Sequence, residues 1–231
     1  MFEHLYRTAI AHCSNHESYL FQTDQFTDRF VPTGDGGFLI LDTPLHALAF
    51  ALWFQLELTS FNSGFTLPRM RRLLNEPLTV RYAITQDALI HYESDWYGAA
   101  IINNARILSR DSLNRCLVDA NSASWFAHRL TSFENLLALV LPGKNAIREF
   151  SGFQSSGKAS MLFADPPQVH SAILQKVGPL PAKGHQFDVY SAYVQVGLLH
   201  GRPGQPADQD IIASVGNLNT AGLDHASERP N

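Results

Sequence analysis

The chain is short of charge, of cysteine and of long hydrophobic runs. Only 16% of its 231 residues are Asp, Glu, Lys or Arg. Lys and Arg number 17 against 21 Asp and Glu, a formal net charge of −4. No basic stripe is present, so nucleic acid is not an expected partner. Two cysteines, Cys13 and Cys116, exclude a disulfide framework and make a reducing cytoplasm the expected compartment. The start, Met1 to Arg7, lacks the charged n-region and apolar h-region of a secretory leader. The longest apolar run, residues 45–58, is interrupted by His46, Gln55 and Glu57. It is too short and too broken to span a bilayer, so no membrane partner is expected.

What is abundant is apolar material. Hydrophobic residues make up 45% of the chain, enough for a sizeable core. With so little charge, part of the surface must be neutral or apolar, which points toward an oligomer.

Apolar residues at Phe2, Leu5, Tyr6, Ala9 and Ile10 predict a helix over 2–13. Thr43-Pro44 opens a second, over 45–61, which is apolar around most of its circumference and should be buried. Residues 67–75 read as a short basic helix. Residues 78–85 alternate with period two and predict a strand, with 88–92 as its partner. A loop over 93–98 leads into a helix over 99–110. Residues 115–119 read as a strand, and Asn121-Ser122 as the cap of a helix through 128. A helix over 167–175 and a late strand over 186–196 complete the pattern. Gly, Pro, Asn, Asp and Gln dominate after residue 196, so 197–231 read as a tail, mobile at least in part from 202. The order of elements predicts an α+β fold, with helices on a mainly antiparallel sheet over 1–196.

Thr33-Gly34-Asp35-Gly36-Gly37 lies between the apolar runs Phe30-Val31 and Phe38-Leu39-Ile40-Leu41. This predicts a glycine-rich hairpin with the Asp35 carboxylate at its tip. Such a carboxylate suits a hard divalent cation carrying a polyphosphate. An ordinary Asp-Gly turn with no chemistry is the other reading.

Three segments then follow in order. They are Pro32-Thr33-Gly34-Asp35-Gly36-Gly37; the 78–84 strand followed by Asp95-Trp96-Tyr97-Gly98 and Asn103-Asn104-Ala105-Arg106-Ile107; and Lys183-Gly184 before a strand. Their order and spacing resemble the class III nucleotide cyclase catalytic domain, over roughly residues 25–195. Within that family the hairpin is most similar to the pyrimidine cyclases of the bacterial Pycsar antiphage system, which form cyclic UMP or cyclic CMP. Purine cyclases usually carry a base-reading lysine where this chain has Val31.

The resemblance implies a ferredoxin-like core of antiparallel sheet flanked by helices, and a cytoplasmic homodimer whose active sites are shared between subunits. It implies Asp35 as a metal ligand, with Thr33 and Gly34 beside it at the substrate. Asp95 takes the base side, Asn103 orients the ribose and Arg106 steadies charge on the transferring phosphate. The family asparagine sits four residues before the arginine, where this chain has Ile102, so Asn103 stands one step late. The family's opening strand, with its Asp-x-x-Gly-Phe aspartate, has no counterpart before the hairpin. The implied Mn²⁺ or Mg²⁺ pair therefore lacks one ligand here. A catalytically silent nucleotide- or partner-binding domain and a purine cyclase are the competing readings.

Other signals have bland counterparts. Arg29, Arg69, Arg71 and Arg72 could grip phosphates or form a solvated face. Arg81 could reach the nucleotide or pair within the sheet. Trp96 and Tyr97 could stack on a base or simply pack. His12, Cys13 and His16 have ligand-like spacing but no partner cluster nearby.

Overall fold

The structure, a computed structural model, describes residues 2–16, 29–93, 95–111, 115–132, 139–140, 147–148, 150–155, 158–163, 170–182, 185–200 and 209–216. The chain divides into two compact units, Met1–Val80 and Arg81–Asn231.

The first unit holds α1 (Phe2–His16), the hairpin β1 (Phe30–Pro32) and β2 (Gly37–Leu39), α2 (Pro44–Asn62) and α3 (Pro68–Arg71). Thr43 caps α2 by accepting from the His46 backbone N–H at 3.3 Å, and Pro44 takes the first turn, where no donor is lost. As its composition predicts, α2 is buried on all sides, from Leu48 through Trp53 and Phe54 to Phe61. It packs on α1 through Leu5, Ala9 and Cys13, all buried. Phe2 and Tyr6 extend this contact to Phe54 and Phe50, at ring-centre distances of 5.4 and 5.8 Å. Among the described residues His12 joins no metal cluster. Its Nε2 lies 3.0 Å from Glu57 Oε1 and its ring stacks on Trp53. The basic helix expected over 67–75 shrinks to α3: Leu67, left-handed at φ 47°, sets its start, and past Arg72 the chain tightens into turns in which the Leu73 and Leu74 N–H groups donate to the Met70 and Arg71 carbonyls.

The second unit is built on a seven-stranded sheet. Its elements are β3 (Tyr82–Ile84), β4 (Leu89–Tyr92), β5 (Asp95–Gly98), α4 (Ala99–Arg110), β6 (Cys116–Asp119) and α5 (Ala120–Ser132). There follow β7 (Leu139–Val140), β8 (Ile147–Arg148), β9 (Phe150–Ser155), β10 (Lys158–Phe163), β11 (His170–Ala182), β12 (His185–His200) and β13 (Gln209–Val215). The sheet runs β3-β6-β12-β11-β10-β9, with β13 also on β12. Only the β3–β6 pair is parallel within it. The architecture is α+β with mainly antiparallel pairing, as expected.

Ile107 of α4 meets Leu117, Leu180 and Val189 in the core of this unit. The interior of β6 is closed to solvent along its length, and burial pushes the Cys116 thiol up to about 12.

Four expectations are corrected. Residues 88–92 do not pair with the strand before them; β4 pairs with β5, Ile90 opposite Tyr97, so the last four residues of the expected 93–98 loop are strand. The 78–85 strand is reduced to β3, which pairs with β6 instead. The helix expected over 167–175 is replaced by β11, held along β12 from Ala172↔Val194 to Ala182↔His185. Local helical spacing there loses to cross-strand pairing over the described residues of β11. Within the presumed tail, β12 continues to His200 and β13 pairs along it. Overall polarity hid the run Ile211-Ile212-Ala213-Ser214-Val215, which suits a pleated sheet.

Candidate functional site

The hairpin tip is built by its glycines. Val31 opposes Phe38 and Pro32 opposes Gly37, and the Thr33 N–H donates to the Gly36 carbonyl at 3.1 Å. Gly34 turns the chain with φ +89°, in open space. A Cβ at Gly37 would lie 2.3 Å from Phe30 Cζ and 2.8 Å from the Val31 carbonyl, so the strand can pass there only as glycine. Asp35 is thereby held exposed at the tip, with Thr33 and Gly34 exposed beside it.

A second cluster surrounds the start of α4. Gly98 joins β5 directly to the helix with φ +154°, and a Cβ there would lie 2.5 Å from the Ala88 carbonyl. Asp95 and Tyr97 share one face of the β4–β5 hairpin, and the Tyr97 hydroxyl donates to Asp95 Oδ2 at 3.3 Å. Trp96 takes the other face, 4.6 Å from His91 ring to ring. Its indole N–H is buried without an acceptor among the described residues.

The helix itself is unbroken. Asn104 stitches it to the sheet, donating to the Ala83 carbonyl at 2.8 Å and Thr85 Oγ1 at 3.3 Å. Ala100 and Ile107 share that buried face. Asn103 and Arg106, both half-buried, lie three residues apart and so neighbour each other on the flank. Ile102 is exposed.

The arginines separate by what they already hold. Arg29 pairs with Asp42 at 2.7 Å. Arg71 donates to the Asn62 and Leu74 carbonyls. Arg81 donates to the carbonyls of Leu108 and Asp111, closing the C-terminal end of α4 rather than reaching toward a ligand. Arg115 is buried against Asp111, Nε to Oδ1 2.9 Å. Among the described residues neither the Arg106 guanidinium nor the Asp35 carboxylate has a side-chain partner.

Asp35 belongs to the first unit; Asp95, Asn103 and Arg106 belong to the second. Lys183 and Gly184 lie outside the described residues. Among the described residues no group of three or more His, Cys, Asp or Glu side chains converges as a metal site, and no helix is long and apolar enough to cross a membrane.

One cleft has no forerunner in the sequence reading. An open pocket of about 360 Å³ is lined by Gln86, Asn121, Ser124, Trp125 and His128. It lies beyond the ends of the parallel strands β3 and β6, where chain reversal exposes backbone groups. Behind it Asp119 accepts from the backbone N–H groups of Ser122 at 2.8 Å and Gln86 at 3.2 Å. Asn121 donates to the Gln86 carbonyl at 2.9 Å. Burial pushes the Asp119 carboxyl above its ordinary value, against the pull of those hydrogen bonds. The only sequence trace of this cleft is the i,i+4 spacing of Asn121 with Trp125 and of Ser124 with His128 on α5.

No family model, curated protein or solved structure matches this chain.

Proposed function

We propose that the chain is a class III nucleotide cyclase acting on a pyrimidine nucleoside triphosphate. It would convert UTP or CTP to the 3′,5′-cyclic monophosphate and pyrophosphate, a second messenger in antiphage defence. The observation that carries this reading is the state of Arg106. It is half-buried, uncommitted among the described residues, and one helical turn from Asn103 on a helix that follows Asp95. A cation held in place by a packed helix but left without a partner suits an anionic ligand. The glycine-built tip that presents Asp35 supports the same reading.

The reaction is an intramolecular displacement. The ribose 3′-oxygen forms a bond to the α-phosphorus, the bond to the bridging β-phosphate oxygen breaks, and pyrophosphate leaves with that electron pair. The hydroxyl proton passes to solvent. Arg106, with its planar fork of donors, would steady charge on the α-phosphoryl oxygens. Asn103 would hold the ribose, and Asp95 would face the base edge.

The described residues do not by themselves build a two-ion centre, since Asp35 is a lone carboxylate at its tip. In this proposal Asp35 is one ligand of the Mn²⁺ or Mg²⁺ ion that enters with the nucleotide. The site is shared in a cytoplasmic homodimer, Asp35 from one subunit and Arg106 from the other.

The test is to incubate the purified full chain with UTP, CTP, ATP and GTP in turn with Mn²⁺, and to identify products by mass spectrometry. Cyclic UMP or cyclic CMP is expected. A purine cyclic product would replace the pyrimidine assignment. Nucleotide binding without turnover would reduce the protein to a silent binding domain, for which Ile102 at the family's asparagine position already argues. Neither binding nor turnover would end the proposal.

A further inference from the structure

The cleft beside α5 has no part in the cyclase reading. Asn121, Ser124, Trp125 and His128 recur at three- and four-residue spacings and so form one stripe along α5, with Gln86 joining them from just past β3. The walls are anchored. The Gln86 N–H donates to the Asp119 carboxylate and the Gln86 carbonyl accepts from Asn121, so both backbone groups of residue 86 are tied to the start of α5. What remains is its side-chain amide, which makes no hydrogen bond among the described residues. A carbonyl can only accept, so Asn121 turns its NH2 group to Gln86 and keeps Oδ1 as an acceptor. Phe126, itself buried, meets the Trp125 ring edge-on at 5.5 Å, which helps fix the plane of the indole.

These walls narrow the ligand class. Among the described residues no Lys, Arg or aliphatic side chain lines the cleft, which removes the usual grips on phosphate and on lipid. The Asp119 carboxylate already occupies the N-terminus of α5, with Asp87 near it, so the field there opposes an anion. One imidazole with no carboxylate in the lining makes no metal site. A flat neutral ring that stacks on the indole and hydrogen-bonds along its edge suits what is left. An amide with both donor and acceptor unspent matches an edge that carries an amine beside a ring nitrogen, as adenine does. At about 360 Å³ the cleft lies at the small end of small-molecule sites, about 300–1,000 Å³, with room for a base and its ribose.

We propose that this cleft binds a neutral nucleoside with an adenine-type base, stacked on Trp125 and read along its edge by Gln86. Asn121 Oδ1 and the Ser124 hydroxyl are then left for the ribose. The cleft shares no residue with Asp35, Asp95, Asn103 and Arg106, so the proposal stands apart from the cyclase reading.

The test is titration of the full chain with adenosine, without metal, followed by calorimetry and by tryptophan fluorescence. Saturable binding with quenching is expected. Gln86→Ala should weaken binding about fivefold or more, the loss of one bidentate pair. The hydrogen bonds of residue 86 come from its backbone, so circular dichroism should show this variant folded. Trp125→Phe should remove most of the quenching, since Trp53 and Trp96 lie outside the cleft. Adenosine that does not bind at millimolar concentration, that binds Gln86→Ala as tightly as the parent, or that quenches Trp125→Phe equally would overturn the proposal. So would loss of binding in Asp95→Ala with Gln86→Ala unaffected, which would move the base to the candidate nucleotide site. Equal displacement of adenosine by free ribose would also overturn it, making the ligand a sugar.

Discussion

Among the described residues Arg115 is the largest side chain buried completely, at 1% exposed, and its partner Asp111 is buried with it. Asp111 Oδ2 also accepts from the Arg115 backbone N–H at 3.1 Å. Two charges withdrawn from water are tolerable only as a pair, so removing one member is costly. Asp111→Ala should lose about 3–5 kcal/mol of stability in urea denaturation, whereas replacing both members with apolar residues should cost much less. Asp119 gives a prediction of opposite sense. Its raised carboxyl value means that the folded chain holds the proton more tightly than the unfolded chain. Stability therefore falls as pH rises from the ordinary carboxylate range through the raised value, and levels off above it. Asp119, rather than the expected Asn121-Ser122, stands before α5 and accepts from the Ser122 N–H; Asn caps a helix as well as Asp but cannot titrate. Urea midpoints for Asp119→Asn should flatten over that window; a slope equal to the parent's would show that another group is responsible.

Among elements, the two glycines that shape the candidate site should differ in cost. Gly34 needs only its left-handed conformation, since a Cβ would meet open space. Gly98 needs both conformation and room, because the Ala88 carbonyl stands 2.5 Å from any Cβ. Gly34→Ala should cost about 1 kcal/mol, and Gly98→Ala clearly more, about 3 kcal/mol or above, by equilibrium unfolding. The elements differ just as much in how plainly they are written. Thr43-Pro44 announces α2, and the apolar face of Ala100 and Ile107 announces α4, because caps and helical period act within one turn. Asp95-Trp96-Tyr97-Gly98 is too short to show a strand period, for all the strand preference of Trp96 and Tyr97, and becomes β5 through pairing with β4. β11 reads as helix until β12 is beside it. The hairpin tip with Asp35 is legible because its glycines are adjacent in the chain. The Gln86–Asn121 cleft is not, because its walls come from residues 35 apart. Arg81 and Asn104 likewise show their structural duties only when α4 is docked on β3.

For the whole molecule, the shared-site proposal makes a quantitative claim. If Asp35 and Arg106 meet from different subunits, Asp35→Ala and Arg106→Ala chains should each be inactive alone. Mixed in equal amounts and allowed to exchange, they should recover about a quarter of parental turnover, since half of the dimers carry one intact site of two. Assay of the mixture by cyclic nucleotide formation tests this. A mixture as inactive as its parents would confine both residues to one subunit's site or remove one of them from the chemistry.

The longest strand, β12, has β11 along one edge, while β6 and β13 share the other, β6 over Val189–Ala192 and β13 over Val194–His200. Gly216, just past β13, falls where those two strands abut, and a Cβ there would sit 2.2 Å from the Ala192 carbonyl. Any side chain at that splice would pry apart two butted planks at once. A genetic screen for inactive variants should therefore recover Gly216 alongside true reaction residues, and its loss would report a failed joint in the frame.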